Sequence, residues 1–89
     1  MDYGEYMAAA GDKLLEARRA RGLSQARAAA LAGLSTPAYR RLEHGADPRS
    51  GAPANPRLAT LLAVCRALGL SPGDVLPPPY PDVLADEEP

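Results

Sequence analysis

The sequence contains no tryptophan, phenylalanine or isoleucine, and its four tyrosines are its only aromatic residues. Valine occurs only at positions 64, 75 and 83. Because β-branched and aromatic residues are the ones enriched in strands, this shortage argues against a β-sheet. Much of the 46% hydrophobic content is alanine, which suits closely packed short helices. The composition therefore predicts an all-α protein, and a length of 89 residues favours a single domain.

Metal clusters and intrachain disulfides need residues that the sequence does not supply. Cys65 is its single cysteine and His44 its single histidine. A Cys-based or His-paired metal site is therefore excluded, and no disulfide can form within the chain. The sequence also has no phosphate-cradling glycine loop and no nucleophile with a matching base. We expect neither a cofactor nor an enzymatic activity.

Long hydrophobic runs are missing as well. No stretch approaches the roughly 20 apolar residues of a membrane-spanning helix. The acidic N-terminus, residues 1–5, does not resemble a signal peptide. We therefore expect a cytoplasmic protein that makes no membrane contact.

Charge is segregated along the chain although the net charge is only −1. All ten basic residues lie between Lys13 and Arg66, and residues 12–66 contain only four of the eleven acidic residues. That stretch has a net charge of +6, whereas the two ends are acidic. A local positive field can attract nucleic-acid phosphates even where the net charge does not. An ordinary solvated surface is the alternative reading of the same charges.

Glycines and capping residues divide the chain into five predicted helices. The first spans 8–21, with a start between Tyr3 and Asp12, and the second spans 25–32 after the cap Ser24. The third spans 36–44, and the last two span 57–68 and 72–76. In the fourth helix the apolar stripe is predicted to be Leu58, Leu61, Leu62, Cys65 and Leu68.

Two segments lack a helical pattern. Residues 46–56 are rich in proline, glycine and short polar residues, which predicts a loop. Residues 77–89 contain five prolines and four acidic residues, which predicts a disordered acidic tail after a domain spanning 1–76. A polyproline segment at 77–81 that docks on a protein partner is the alternative.

Residues 24–45 form a predicted helix-turn-helix. Two short helices flank a turn at Gly33, and Ala29 lies where a larger side chain would separate them. Such a unit places its second helix in the major groove of DNA. The segments RRARGLSQ, LAGLS, YRRLEHG and LLAVCRALGLSPGDVL occur in the order of the Cro/repressor-type family, also called Xre-type or lambda-repressor-like. The sequence resembles that family from Lys13 to Leu76.

The resemblance implies a compact five-helix domain that binds operator duplex DNA, with a homodimer as the usual form. It implies a bacterial transcriptional regulator, with repression as the expected mode. Gln25 matches the phosphate-contacting residue at the start of the second helix. Arg18 and Glu43 match a pair that bridges the first and third helices in some members. The exposed positions of the recognition helix are matched by Thr36, Ala38, Arg40 and Arg41.

The sequence departs from the family at two places. Pro37 occupies a position that carries a base-reading side chain in many members, and it can offer only an apolar contact. Base reading is therefore expected to rest mainly on Thr36, Arg40 and Arg41. The loop after Gly45 is longer than usual, and Arg49 and Arg57 are expected to meet phosphates there. The main alternative function is a protein-interaction module, such as the antitoxin of a toxin–antitoxin pair. That alternative rests on the acidic tail and the long loop.

Overall fold

Five α-helices make up the fold of residues 1–83, the part of the chain that the computed structural model describes. None of these helices is long and apolar enough to cross a membrane. The all-α, five-helix prediction is confirmed, and residues 84–89 of the predicted tail lie outside the described residues. The helices are α1 (Tyr3–Ala20), α2 (Gln25–Leu31), α3 (Thr36–His44), α4 (Leu58–Leu68) and α5 (Pro72–Val75).

The two helices of the predicted helix-turn-helix begin at serine caps. Ser24 Oγ accepts a hydrogen bond from the Arg27 N–H at 3.0 Å, and Ser35 Oγ accepts one from the Ala38 N–H at 3.2 Å. Each bond satisfies an N–H that has no partner within its helix. The caps therefore fix where α2 and α3 start, as the sequence predicts.

The first helix begins at Tyr3, the earliest start that the sequence allowed, and five residues before the predicted span 8–21. Asp2 Oδ1 accepts a hydrogen bond from the Glu5 N–H at 2.7 Å, and the Asp2 N–H donates to Glu5 Oε1 at 3.4 Å. This reciprocal pair is a capping box, which makes a stable start for a helix. An acid followed three residues later by glutamate is the sequence signal that predicts it.

Helices α1, α3 and α4 enclose most of the core, with α2 packed on α3 and α4, and α5 packed on α1 and α4. Tyr39 is fully buried, and Cys65 lies in the core, as predicted for both. The other large buried side chains are Tyr6, Met7, Leu14, Leu42, Leu61, Val64, Leu68 and Val75.

Two glycines let α1 lie directly against the end of α3. A Cβ at Gly11 would lie 2.9 Å from the Leu42 carbonyl oxygen and still closer to that of Glu43. Gly45, which ends α3 with φ of 83°, would place a Cβ 2.7 Å from Ala8 Cα. Only glycine combines the left-handed conformation with this approach. Backbone contact therefore sets the distance between α1 and α3.

The buried face of α4 differs from the predicted stripe. Leu61, Cys65 and Leu68 are buried as expected, but Leu58 and Leu62 are 70% and 44% exposed. Val64, which the prediction omitted, is fully buried instead. The helices α1, α2 and α5 pack against α4, and the part of its apolar surface that they cover includes Val64 but not Leu58 and Leu62.

Two tyrosines of α1 hold the loop and the start of the tail. Tyr3 Oη donates to the Ala54 carbonyl oxygen at 3.0 Å, and Tyr6 Oη donates to the Pro77 carbonyl oxygen at 2.9 Å. The Tyr80 ring lies 6.5 Å from the Tyr6 ring, measured between centroids. Pro77 and Tyr80, in the segment predicted to be disordered, therefore contact α1.

Candidate nucleic-acid interface

The α3 helix presents a mixed basic and apolar surface to solvent. Pro37, Arg40 and Arg41 are exposed, and Thr36 and Ala38 are half-buried. The opposite face of the helix carries Tyr39, Leu42 and Glu43 into the domain. The sequence predicted this division, because residues three and four apart share a face of a helix.

The other three predicted DNA-contacting residues come from different elements. Gln25 is the first residue of α2 and is half-buried. Arg49 is exposed in the loop, and Arg57 is the exposed residue that precedes α4. The structure therefore brings Gln25 close to α3, whereas Arg49 and Arg57 lie on the loop side of the domain.

A groove of about 730 Å³ runs between the last turns of α1, the start of α2 and the exposed face of α3. It contains three predicted site residues with positive or polar side chains, Gln25, Arg40 and Arg41, together with Pro37. The remaining lining residues are Asp12, Leu15, Arg18, Arg19, Glu43, His44 and Pro48. We call this the α1–α3 groove. Its lining is predominantly basic, as a surface that meets phosphates requires.

A second groove, of about 390 Å³, separates α3 from the loop and the start of α4. Arg41 lines both grooves, and Arg57 and Asn55 line this one. Arg41 therefore stands on the ridge of α3 between two concave surfaces. This is the position from which a recognition-helix side chain reaches the floor of a DNA groove.

Two further residues with exposed side chains line the α1–α3 groove, Arg19 and His44, and the sequence prediction did not include them among the candidate DNA-binding residues. Arg19 is exposed in the last turns of α1 and faces the same groove as Arg40. The cluster of arginines at 18, 19 and 21 is the signal from which Arg19 could be predicted. His44, predicted only to end α3, is exposed at that end and also lines the groove.

Beneath the groove, polar side chains connect all three helices. The Arg18 guanidinium donates two hydrogen bonds of 2.8 Å to the two Glu43 carboxylate oxygens, as the resemblance implies. Arg18 Nη1 also donates to the Leu23 carbonyl oxygen at 2.8 Å. Gln25 Nε2 donates to Glu43 Oε1 at 3.1 Å, and Arg40 Nε donates to Gln25 Oε1 at 3.1 Å. We call these four side chains, Arg18, Glu43, Gln25 and Arg40, the polar chain.

The charge state of Glu43 follows from these contacts. Burial alone would raise the pKa of its carboxyl, but hydrogen bonding, above all to Arg18, holds the pKa below its usual range. Glu43 therefore carries a negative charge that Arg18 neutralises. The positive charge that the groove presents to solvent comes from Arg19, Arg40 and Arg41, against one exposed acidic residue, Asp12.

The loop contributes an acidic group beside Arg41. Asp47 Oδ1 accepts hydrogen bonds from the Arg49 N–H at 2.8 Å and the Ser50 N–H at 3.0 Å. These bonds, with a further contribution from Arg41, lower the pKa of the Asp47 carboxyl. The predicted loop is thus an ordered turn, also joined by an antiparallel bridge between Ala46 and Pro53.

Comparison with known proteins shows similarity to helix-turn-helix proteins. Residues 14–75 match the model of a helix-turn-helix family, HTH_3. The crystal structure of the restriction-modification controller protein C.AhdI from Aeromonas hydrophila superposes with a TM-score of 0.70 at 29% sequence identity. The match covers 84% of this chain and 99% of C.AhdI. No curated protein sequence matches the chain.

Proposed function

Because the chain belongs to the HTH_3 helix-turn-helix family, a family of DNA-binding transcription regulators, we propose that it is a bacterial transcriptional regulator that binds duplex DNA sequence-specifically. The exposed face of α3, Thr36–His44, lies in the major groove in this proposal. The observation that carries it is the position of Arg41 on the ridge between two grooves. C.AhdI, a controller protein of similar fold, supports a regulatory role.

Base reading falls to the residues on the exposed side of α3. Arg41 donates to the acceptor atoms of guanine, the commonest specific contact in the major groove. Thr36 offers a hydroxyl, and Pro37 and Ala38 offer apolar contacts to a thymine methyl. Because Pro37 has no polar group, the specificity rests mainly on Arg41 and Thr36.

Phosphate contacts surround this reading surface. Arg40, hydrogen-bonded to Gln25 at the start of α2, approaches the backbone on the α2 side, and Arg49 and Arg57 approach it on the loop side. Contacts of this kind fix the register of the protein on the duplex without reading sequence. Arg19 and His44, which line the α1–α3 groove, extend the basic surface on the α1 side.

A homodimer is the form that we propose for the bound protein. Leu58 and Leu62 leave an apolar flank of α4 exposed to solvent. Two copies related by a two-fold axis would bury this flank and would match an inverted-repeat operator.

Selection from a random duplex pool tests the proposed function. We expect the selected sequences to share a motif and binding to weaken steeply with salt, because neutralised phosphates release counterions. Arg41→Ala should cost about 1–3 kcal/mol against the selected motif and relax the preference at one base position. If no duplex is enriched above nonspecific binding at low salt, the proposal is wrong.

A further inference from the structure

The Gln25 carboxamide lies between two side chains of opposite charge. Its amino group donates to the Glu43 carboxylate, and its oxygen accepts from Arg40 Nε, both at 3.1 Å. A carboxamide has one donor end and one acceptor end. In this site the amino group faces the negative charge of Glu43 and the oxygen faces the positive charge of Arg40, so each end binds a different partner.

The orientation of the carboxamide is set from inside the domain. Glu43 is buried and is held on both oxygens by Arg18, so its carboxylate cannot turn away. A reversed carboxamide would place its oxygen against this carboxylate and its amino group against the Arg40 guanidinium. Both contacts would be unfavourable. The oxygen of Gln25 therefore points toward Arg40, and one N–H of its amino group is used by Glu43.

Because Gln25 is neutral, its bond to Arg40 leaves the positive charge of the Arg40 guanidinium available to a phosphate. Only Nε is used in the bond to Gln25, so the two terminal nitrogens of the guanidinium keep four N–H donors. A carboxylate in the place of Gln25 would hold Arg40 as well but would neutralise it. In addition, Gln25 opens α2, and the first helix of a helix-turn-helix crosses the DNA backbone.

We infer that Gln25 is a positioning residue that holds the Arg40 guanidinium against α2, where Arg40 donates to a backbone phosphate. This assignment rests on the proposed function. It makes Arg40 the phosphate contact, with Gln25 acting through it, and it leaves base reading to other residues of α3. The polar chain thus links the buried ion pair to a DNA contact on the surface.

A double-mutant cycle tests this division of tasks. Wild type, Gln25→Ala, Arg40→Ala and the double variant are titrated with the selected sequence and with a mixed-sequence duplex of about two helical turns, over a salt series. We expect Arg40→Ala to weaken binding roughly tenfold on both duplexes and to lower the salt slope by about 1. Gln25→Ala should weaken binding less, and the double variant should match Arg40→Ala.

Controls make the outcome specific. Gln25→Met keeps the length of the side chain and should behave as Gln25→Ala does, which guards against a folding defect in one variant. Arg66→Ala removes an exposed arginine that lines neither groove and should have little effect. Thermal unfolding of each variant confirms that the domain is folded.

Two results would overturn the inference. If Gln25→Ala weakens DNA binding by the same factor in the presence and in the absence of Arg40, Gln25 contacts DNA by itself. If Arg40→Ala weakens the selected sequence far more than the mixed one, Arg40 reads bases. A wild-type protein that binds neither duplex would instead refute the proposed function, so the two failures are distinguishable.

Discussion

Arg18 and Glu43 form a buried ion pair in which every carboxylate oxygen is used. Their side chains are 12% and 5% exposed, and Gln25 adds a third donor to the carboxylate. Removing both charges of such a pair can be neutral, but removing one leaves the other buried without a partner. The main effect of the pair is therefore to make the packing of α1 and the packing of α3 depend on each other. Its contribution to net stability is smaller.

The variant Glu43→Gln tests how much the stability of the domain depends on this ion pair and in which direction the contribution changes with pH. At neutral pH the variant should lose roughly 3 kcal/mol of unfolding free energy, because Arg18 is left unpaired. The folded-state pKa of Glu43 is lowered, so its stabilising effect is present above the ordinary value of about 4.3 and is lost as pH falls through the folded pKa. Denaturant unfolding should show the gap between wild type and variant narrowing on acidification. A gap that widens below pH 4 would contradict the ion pair.

The Tyr39 hydroxyl is a second buried group, and it has no hydrogen-bond partner among the described residues. Burial raises its pKa, and the Glu43 carboxylate, which lies near the hydroxyl without meeting hydrogen-bond geometry, raises the pKa further. Tyr39→Phe should therefore leave the unfolding free energy unchanged or raise it by up to about 1 kcal/mol. Tyr6→Phe is the matched control, since it removes a 2.9 Å bond to Pro77 and should cost about 1 kcal/mol. An equal loss in both variants would show that Tyr39 does form a bond.

Some contacts between individual side chains can be predicted from the sequence, and others cannot because they depend on how the helices pack. The Arg18–Glu43 pair follows from the resemblance, and the burial of Tyr39 follows from its place opposite the exposed face of α3. The bond between Gln25 and Arg40 joins residues fifteen positions apart on two helices. It depends on side-chain directions and on the buried charge below, which no single-helix pattern contains.

At the scale of the element, α1 carries two glycines in contrasting surroundings. Gly11→Ala should destabilise the domain by about 1–3 kcal/mol, because its Cβ would push against carbonyl oxygens of α3. Gly4→Ala adds a Cβ whose nearest neighbour is 3.4 Å away, so it should be neutral or slightly stabilising through helix propensity. Thermal unfolding compares the two. If both variants are stabilised, α1 and α3 are not held by backbone contact at Gly11.

The helix α4 shows how far an apolar pattern determines burial. Its spacing correctly predicts a helix with Leu61, Cys65 and Leu68 inside. It wrongly places Leu62 inside and omits Val64, because the two apolar residues lie at opposite edges of the apolar surface and the spacing does not show which edge is covered. Which of the two residues is buried depends on how α1, α2 and α5 pack against α4, and this tertiary packing is not contained in the pattern of one helix.

For the whole molecule, Pro77 and Tyr80, which follow α5, contribute to the packing of the domain. Tyr6 binds the Pro77 carbonyl and contacts the Tyr80 ring. A chain that ends at Leu76 should lose about 1–2 kcal/mol of unfolding free energy, which lowers Tm by several degrees in a domain of this size. A chain that ends at Val83 keeps both contacts and serves as the control. Equal melting temperatures for the two truncations would show that these contacts do not stabilise the fold.

The exposed flank of α4 gives the last prediction, because the number of copies decides how the protein meets its operator. Leu58 and Leu62 add no core packing, yet they keep apolar side chains in water. Leu62→Glu should make the protein monomeric at concentrations where wild type is dimeric, as measured by sedimentation. Ala30→Glu adds the same charge at an exposed site on α2 and should leave the dimer intact. The Leu62 variant should also lose affinity for an inverted repeat much more than for a single half-site, because only paired copies engage both halves. A wild-type protein that stays monomeric on an inverted repeat would refute this interface.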